Sequence, residues 1–326
     1  GGLFEKSHPE HPERMIKVYR WTSGTSDLGE KYNVHISVID TSSGKYKTGN
    51  FTVTVLHEIP EKYERVNDII IGDQDTDGRR TAAFHNGVGY AVWNDWESNN
   101  VYFSTSAREG YSVKLSNMDD KINAFPSLAV DKSGNIYAVW SVFSQDFSKS
   151  FGIWLSKSID GGASFSNPIQ ISDSGVFPCV RVHDSNVYIL WAGVTFSNGQ
   201  VVEKANYYFS RSSNGGASFE PPIQVNDAAP QDNTKFEDML DLYVDESGII
   251  YAVWNDSRRA GGNGDIYFAM STDGGKSFSQ NIPVNDISGT KADHILFGPS
   301  ISVNKGTVYV VWRDKSEEDG LSLIHI

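Results

Sequence analysis

The sequence predicts an all-β fold. It reads as a six-bladed-type β-propeller, incomplete at the C-terminus with about four and a half blades visible, preceded by a short N-terminal β-sandwich fragment. Three observations carry this expectation. A strand ending in tryptophan recurs five times: Gly89-Tyr-Ala-Val-Trp93, Ile136-Tyr-Ala-Val-Trp140, Val187-Tyr-Ile-Leu-Trp191, Ile250-Tyr-Ala-Val-Trp254 and Val308-Tyr-Val-Val-Trp312. A turn of the form Ser-x-Asp/Asn-Gly-Gly-x-Ser-Phe recurs three times. No apolar pattern of helical period competes over a comparable length.

The tryptophans are 47 to 63 residues apart, and each repeat resolves into four strands. A first strand, such as residues 127–130 or 300–303, leads through a tight turn (Asp131-Lys-Ser-Gly, Asp245-Glu-Ser-Gly) into the tryptophan strand. A loop follows, then a third strand such as Val101-Tyr-Phe-Ser104 or Ile266-Tyr-Phe-Ala269, and a fourth through Pro168-Ile-Gln-Ile171 or Pro222-Ile-Gln-Val225. The first three strands are nearly continuous apolar runs, as expected for sheets covered on both faces. Val66-Asn-Asp68, Val225-Asn-Asp227 and Val284-Asn-Asp286 stand at similar distances before a tryptophan strand. Residues 60–66 are therefore expected to be an outermost strand that closes the ring on the last blade. That last blade is expected to stop after its second strand. Its final residues, Leu321-Ser-Leu-Ile-His-Ile326, read either as the start of a strand or as a string foreign to the protein.

Residues 1–58 depart from this pattern and form a separate expected domain, with the propeller over 59–326. Alternation of Val34, Ile36 and Val38, and of Phe51, Val53 and Val55, predicts strands with one buried face. Residues 58–62 are the expected linker.

Composition narrows the function. The net charge of −13 weighs against a nucleic-acid or anionic-membrane partner. The single cysteine, Cys179, allows no intrachain disulfide and no thiolate zinc cluster, and its apolar strand predicts an inert buried thiol. No apolar run is long enough for a membrane helix.

The glycine-rich turns are Ser158-Ile-Asp-Gly-Gly-Ala-Ser-Phe165, Ser212-Ser-Asn-Gly-Gly-Ala-Ser-Phe219 and Ser271-Thr-Asp-Gly-Gly-Lys-Ser-Phe278. The Asp or Asn side chain can close the turn on backbone amides, the glycines permit positive φ, and the Phe anchors the hairpin. These turns resemble Asp-box repeats. The chain from about residue 60 to 320 is similar to the sialidase-like Asp-box (BNR) β-propellers, and residues 1–58 resemble the end of a PKD-type, immunoglobulin-like module. In that family the boxes are remote from any active site, so the resemblance implies a structural role for Asp160, Asn214 and Asp273. It also implies an extracellular or cell-surface location, a glycan or surface-protein partner, and further domains in a longer polypeptide.

Strand order places the long, charged loops on one face: residues 94–97, 144–150, 195–204, 255–260 and 313–314. Function concentrates on loops held by a rigid scaffold. A sialidase needs arginines for the substrate carboxylate, an acid/base carboxylate and a Tyr activated by Glu. Catalytic candidates are Asp95, Glu237, Asp256 and Asp314, and ligand-binding candidates are Arg79, Arg258 and Arg313. The family's Arg-Ile-Pro signature is absent and no Tyr–Glu pair can be located. The main expectation is therefore a non-catalytic propeller that binds glycans or proteins. A glycoside hydrolase of exo-sialidase type and a structural repeat module of a large surface protein are the alternatives. Each arginine also has a paired alternative, with Asp77, Asp256 or Asp314. No organic cofactor is implied. Asp73-Gln-Asp-Thr-Asp-Gly78 matches the opening of a calcium loop through Asp73, Asp75 and Asp77, although its twelfth position is Phe84 rather than Glu.

Overall fold

The computed structural model describes residues 2–7, 15–20, 31–40, 45–54, 74–75 and 81–325, the last span with breaks at 109–110, 194–195, 198–199, 202–205, 229–239, 257, 259–264, 286–294, 305 and 316–319. In the strands before residue 81, and at 196–201, 295–297 and 313–325, it describes backbone pairing. Every regular element among the described residues is a β-strand. The chain divides into two compact units, Gly1–Glu64 and Arg65–Ile326.

In the first unit, β1 (Gly2–Ser7) pairs antiparallel with β2 (Met15–Arg20), and β3 (Lys31–Asp40) with β4 (Lys45–Thr54). The alternating residues Val34, Ile36 and Val38 lie in β3, and Phe51 and Val53 lie in β4. The expected linker and the expected ring-closing strand at 60–66 lie outside the described residues.

The second unit is a succession of antiparallel sheets of propeller type. The first contains β5 (Gln74–Asp75), β6 (Ala82–His85), β7 (Val88–Asp95), β8 (Asn100–Thr105) and β9 (Ser112–Lys114). Both β5 and β6 pair with β7, at opposite ends of it, so together they make one interrupted first strand. The second sheet is β10 (Ile122–Val130), β11 (Ile136–Phe143), β12 (Ser150–Ser158) and β13 (Ile169–Ser172), in sequence order. The third is β14 (Val176–His183), β15 (Asn186–Gly193), β18 (Asn206–Ser212) and β19 (Ile223–Gln224), with a small hairpin of β16 (Phe196–Ser197) and β17 (Gln200–Val201) in the loop between β15 and β18. The fourth is β20 (Leu240–Val244), β21 (Ile250–Asp256), β22 (Asp265–Ser271) and β23 (Ile282–Pro283). The fifth is β24 (Ile295–Asn304), β25 (Thr307–Lys315) and β26 (Gly320–His325). The fifth sheet thus has a third strand where the sequence was expected to stop after two. Leu321 and Leu323 fall opposite Arg313 and Val311, so the terminal apolar string extends the sheet.

Burial follows the predicted pattern in the middle strands, whereas β6, the first strand of the first sheet, alternates exposed and half-buried residues. Every residue of β11 and of β8 is buried, because both faces of these middle strands are covered, while the outer strand β23 is exposed. Trp140, Trp191 and Trp254 are 0%, 1% and 0% exposed. Their direction is regular. Trp140 packs with Val92, Val101 and Phe103 of the preceding sheet, and Trp191 with Val139 and Leu155 of its own preceding sheet. Trp254 and Trp312 repeat this against the third and fourth sheets. Alternate residues of the same strand, such as Tyr137 and Val139, face the following sheet. One tryptophan strand therefore belongs to two interfaces, and each indole removes its large apolar surface from water between two sheets. Buried indole N–H groups find acceptors: Trp140 Nε1 donates to Asn123 Oδ1 at 3.2 Å and Trp254 Nε1 to Asp256 Oδ2 at 3.1 Å.

The tight turns close as their residues predict. Asp131 Oδ1 accepts from the amides of Ser133 and Asn135, both at 2.9 Å, and Asp245 Oδ1 accepts from Ser247 and Ile249 at the same distance. Tyr137 and Tyr251 point their hydroxyls at these carboxylates. Burial, and then the nearby carboxylate charge and hydrogen bond, push both phenol pKa values up to about 12.

The glycine-rich turns anchor differently from expectation. Phe165 packs edge-on against Phe103 of the preceding sheet, with centroids 4.9 Å apart, and Phe278 does the same to Phe209 at 5.2 Å. The Phe therefore ties two sheets together as well as its own hairpin. This contact also explains the second glycine. A Cβ on Gly162 would lie 2.3 Å from Phe103 Cε1, and one on Gly275 would lie 2.5 Å from Phe209 Cε1. At the turns of the third and fourth sheets a basic residue of the preceding sheet adds a bond: Lys157 Nζ donates to Gly215 O at 2.9 Å, and Arg211 Nη1 to Gly274 O at 2.5 Å.

Candidate functional site

The loops between second and third strands and the starts of the first strands share one end of the sheets. Three of these loops are each held by a carboxylate. In the loop after β7, Asp95 Oδ1 accepts from the Glu97 amide at 3.2 Å and Oδ2 from Ser98 Oγ at 2.6 Å. In the loop after β11, Asp146 Oδ1 accepts from Ser144 Oγ at 2.7 Å and from the Ser148 amide at 2.9 Å. The bonds from Ser144 and Ser148 hold the Asp146 carboxyl well below the usual carboxylate range. In the loop after β21, Asp256 Oδ1 accepts from the Arg258 amide at 2.9 Å. Asp95 and Asp256 each stand two residues after their tryptophan and brace the same turn.

All three nitrogens of the Arg258 guanidinium donate. Nε and Nη2 donate to Asp256 Oδ2 at 3.0 and 2.6 Å, Nη1 to Asp227 Oδ1 at 2.5 Å, and Nη2 also to Asn281 Oδ1 at 3.0 Å. Its carbon lies 4.0 Å from the centroid of the Tyr267 ring. Burial alone would lower the pKa of this group. The bonds to and charges of Asp256 and then Asp227 overcome burial and raise it. For Arg258 the arrangement is the paired one of the two readings. Asp227 belongs to the repeated Val-Asn-Asp segment, whose Asn226 and Asn285 take over from the departing outer strand. Asn226 Oδ1 accepts from the Tyr207 amide at 2.8 Å, and Asn285 Oδ1 from the Ile266 amide at 2.7 Å.

The other sequence candidates are placed as follows. Arg79, Glu237, Asp73 and Asp77 lie outside the described residues. Arg313 and Asp314 lie in β25, opposite Phe297 and Leu296. Asp75 lies in β5, opposite Asn94, so the backbone of the proposed calcium segment is partly strand. Among the described residues no group of three or more His, Cys, Asp or Glu stands ready to hold a metal ion. Asp160, Asn214 and Asp273 close their turns: the amides of Ser164, Ser218 and Ser277 donate to their side-chain oxygens at 2.9, 3.0 and 3.1 Å.

Sequence reasoning missed two groups. The first is Asp241 on β20, which is 3% exposed. It takes an ion pair from Arg181 on β14 and bonds from Cys179 Sγ at 3.4 Å, Ser300 Oγ at 3.1 Å and the Ile301 amide at 3.0 Å. It thus joins the first strands of the third, fourth and fifth sheets. The second is an aromatic cluster. Phe125 lies 4.5 Å from Phe177, 5.9 Å from Phe143 and 6.0 Å from Trp96, centroid to centroid, and Phe147 lies 5.3 Å from Phe143 and 6.5 Å from Trp96. Phe143 is buried, while the other four rings keep part of their surface exposed. The available signal was the repeated Phe-Pro pair, Phe125-Pro126 and Phe177-Pro178, at the start of two first strands.

These features define an all-β protein with propeller-type sheets whose loop end carries braced loops and an aromatic cluster. No known family profile matches the chain, and no curated protein matches it in sequence. Among solved structures, it is similar to a protein of unknown function from Dyadobacter fermentans DSM 18053, at 18% identity and a TM-score of 0.51, over 64% of this chain and 66% of that one. The chain thus spans just under two thirds of that protein's length. It is also similar to an endo-arabinase from Bacteroides thetaiotaomicron VPI-5482, at 12% identity and TM-score 0.45 over 77% of this chain and 94% of that one. A third is a PL25 ulvan lyase, at 10% identity and TM-score 0.47 over 89% of this chain and 77% of that one. These likenesses concern fold.

Proposed function

We propose that the chain is a non-catalytic, glycan-binding propeller of the sialidase-like Asp-box type, exported to the cell surface or beyond and joined to a PKD-like module in a longer polypeptide. The observation that carries the non-catalytic part is the use of Asp95 and Asp256. Both are 1% exposed, and both carboxylates hold their own loops. A general acid or nucleophile must reach substrate, and neither of these two does. Asp256 is also neutralised by Arg258, which removes that arginine from the set available to a substrate carboxylate.

Fold alone does not assign activity, since one superfold hosts many chemistries. The test is a pair of measurements on the whole chain. A glycan array should give reproducible binding. Fluorogenic sialoside, arabinofuranoside and xyloside substrates should give no turnover. Turnover of any of them would overturn the non-catalytic reading, with Glu237 and Asp314 then the first residues to replace. An array without binding would leave a protein partner as the better account.

A further inference from the structure

Among the described residues six non-glycine positions have positive φ: Asn86, Asn99, Phe125, Phe147, Phe177 and Asp184. Asn and Asp visit this region readily, whereas a bulky side chain there is an outlier. The three phenylalanines have φ of 56°, 54° and 53° and come from two first strands and one loop. All three belong to the same ring cluster with Trp96. Strained backbone that the surroundings hold in place gathers at functional sites, and the inference runs from the observed outlier to the function.

A second observation is independent of the rings. Asn94 is 0% exposed, and among the described residues neither its Oδ1 nor its Nδ2 has a hydrogen-bond partner. It lies on β7 opposite Val101 of β8, two residues from Val92, so it shares the side of the strand that faces the second sheet. In the next sheet the matching residue is Ser141, whose hydroxyl accepts from the amide of Phe177 at 3.2 Å. By this correspondence the Asn94 side chain is directed toward the strained start of β10 at Phe125, with both polar atoms unpaired among the described residues. A buried polar group without a partner is costly and calls for an explanation.

We propose that Trp96, Phe125, Phe147 and Phe177, with the Asn94 carboxamide on their inner side, form a stacking site for a neutral sugar ring. The proposal rests on the glycan-binding reading above and names its site and ligand class. Aromatic rings offer the apolar C–H face of a pyranose a flat partner, and one carboxamide in an otherwise apolar site fixes orientation. Asn94 is sealed as the rings stand, so a sugar hydroxyl, which donates and accepts at one atom, satisfies both of its idle atoms once a ring turns aside. A purely apolar guest would leave them unpaired. The charge nearby selects a neutral ring over an acidic one. Glu97 and Asp146, both exposed, neighbour Trp96 and Phe147 in sequence, on a chain of net charge −13. The cation of that loop, Lys149, turns to Phe151, its amine 4.8 Å from the ring centroid.

The test is calorimetric binding to the whole chain of cellohexaose, xylohexaose and mannohexaose, with trigalacturonic acid and 3′-sialyllactose as acidic probes. The variants are Trp96→Ala, Phe147→Ala and Asn94→Leu, with Phe84→Ala, an 82% exposed ring beside the turn at the other end of the sheet, as control. At least one neutral oligosaccharide should bind, and each of the three site variants should weaken it about tenfold or more while Phe84→Ala binds as wild type. Asn94→Leu should keep or raise the thermal midpoint, because it removes an unpaired buried group. This variant therefore separates lost binding from lost folding if an aromatic variant does not fold. Neutral binding that persists in all three variants overturns the platform and leaves the glycan reading standing. Binding of acidic probes alone overturns the neutral-sugar assignment. No binding of any probe overturns both the platform and the glycan reading. Capture of an apolar peptide that depends on Trp96 and Phe147 but not on Asn94 overturns the sugar in favour of a protein guest.

Discussion

Phe125 and Phe177 occupy the same place in successive first strands, each just before a proline. They bring their rings to 4.5 Å, with both backbones at positive φ. The fifth sheet has Gly298-Pro299 at this place, also at positive φ, 66°. In each of these three strands the pairing register shifts at that point: between Ala124 and Ser127, Val176 and Cys179, and Phe297 and Ser300. The bulge is therefore a property of the fold, and the phenylalanine is a choice made at two of its occurrences.

That choice has a measurable strain. Replacing Phe125 by Ala or by Gly removes the same ring, but only Gly relieves the left-handed backbone. Phe125→Gly is expected to be more stable than Phe125→Ala by about 1 kcal/mol, the reverse of the usual order in strands. Urea midpoints of the two variants decide it. Equal midpoints, or Ala above Gly, would show that the backbone there carries no strain.

Trp140→Ala, Trp191→Ala and Trp254→Ala should each cost about 3–5 kcal/mol, because each empties a fully buried space between two sheets. Chemical denaturation measures this, and a loss under about 1 kcal/mol would place the indole outside the core.

Asp160 and Asp273 make stability fall in acid. The hydroxyl of Ser164 for the first, and of Ser277 for the second, hold these carboxyls well below the usual range. Their folded pKa is depressed, so their contribution is complete above the unfolded value of about 4. It is lost as pH falls from there through the folded value. Asn214 shows that a carboxamide fits the same turn, its Oδ1 accepting from Ser212 Oγ at 2.7 Å and its Nδ2 donating to Ser218 Oγ at 2.8 Å. The double variant Asp160→Asn, Asp273→Asn should keep the fold and lose part of the decline in thermal midpoint between about pH 5 and pH 2. A double variant as acid-sensitive as wild type would show that other carboxylates carry the effect.

Arg258→Ala should cost about 3–5 kcal/mol, since it leaves the fully buried Asp256 carboxylate without its cation. Arg258→Lys should recover only part of this, because an ammonium cannot donate along two edges or lie flat on Tyr267. A near-neutral Arg258→Ala in equilibrium unfolding would mean that the guanidinium is free for a ligand.

Cys179 is 0% exposed and its Sγ lies 3.4 Å from Asp241 Oδ1. The native chain should not react with a thiol reagent over minutes, and denaturant should release one reactive thiol. Rapid labelling without denaturant would show that the first strands of the third and fourth sheets open readily.

The sequence alone determined the all-β class, the strand order of the second, third and fourth sheets and the closure of the tight turns. These depend on neighbours a few residues away: Asp131 on Ser133 and Asn135, Asp160 on Ser164, and the alternation that buries both faces of a Tyr-Ala-Val-Trp strand. The candidate site was legible only as an end of the sheets. Asp256 was legible as a brace of its own loop together with Arg258, whereas Asp95 was readable as a carboxylate on a loop but not as its brace, because that depends on how Glu97 and Ser98 fold back. Arg258 was legible as a cation beside Asp256, but its second carboxylate partner, Asp227, comes from the bend that follows the outer strand of the preceding sheet. Only the tertiary structure decided that Trp140 faces the preceding sheet, that Phe165 meets Phe103, that Asp241 joins three sheets, and that Trp96, Phe125, Phe147 and Phe177 meet at one place. The physical reason is that a period of two tells which residues share a face of a strand, and nothing in that period names the sheet lying against the face.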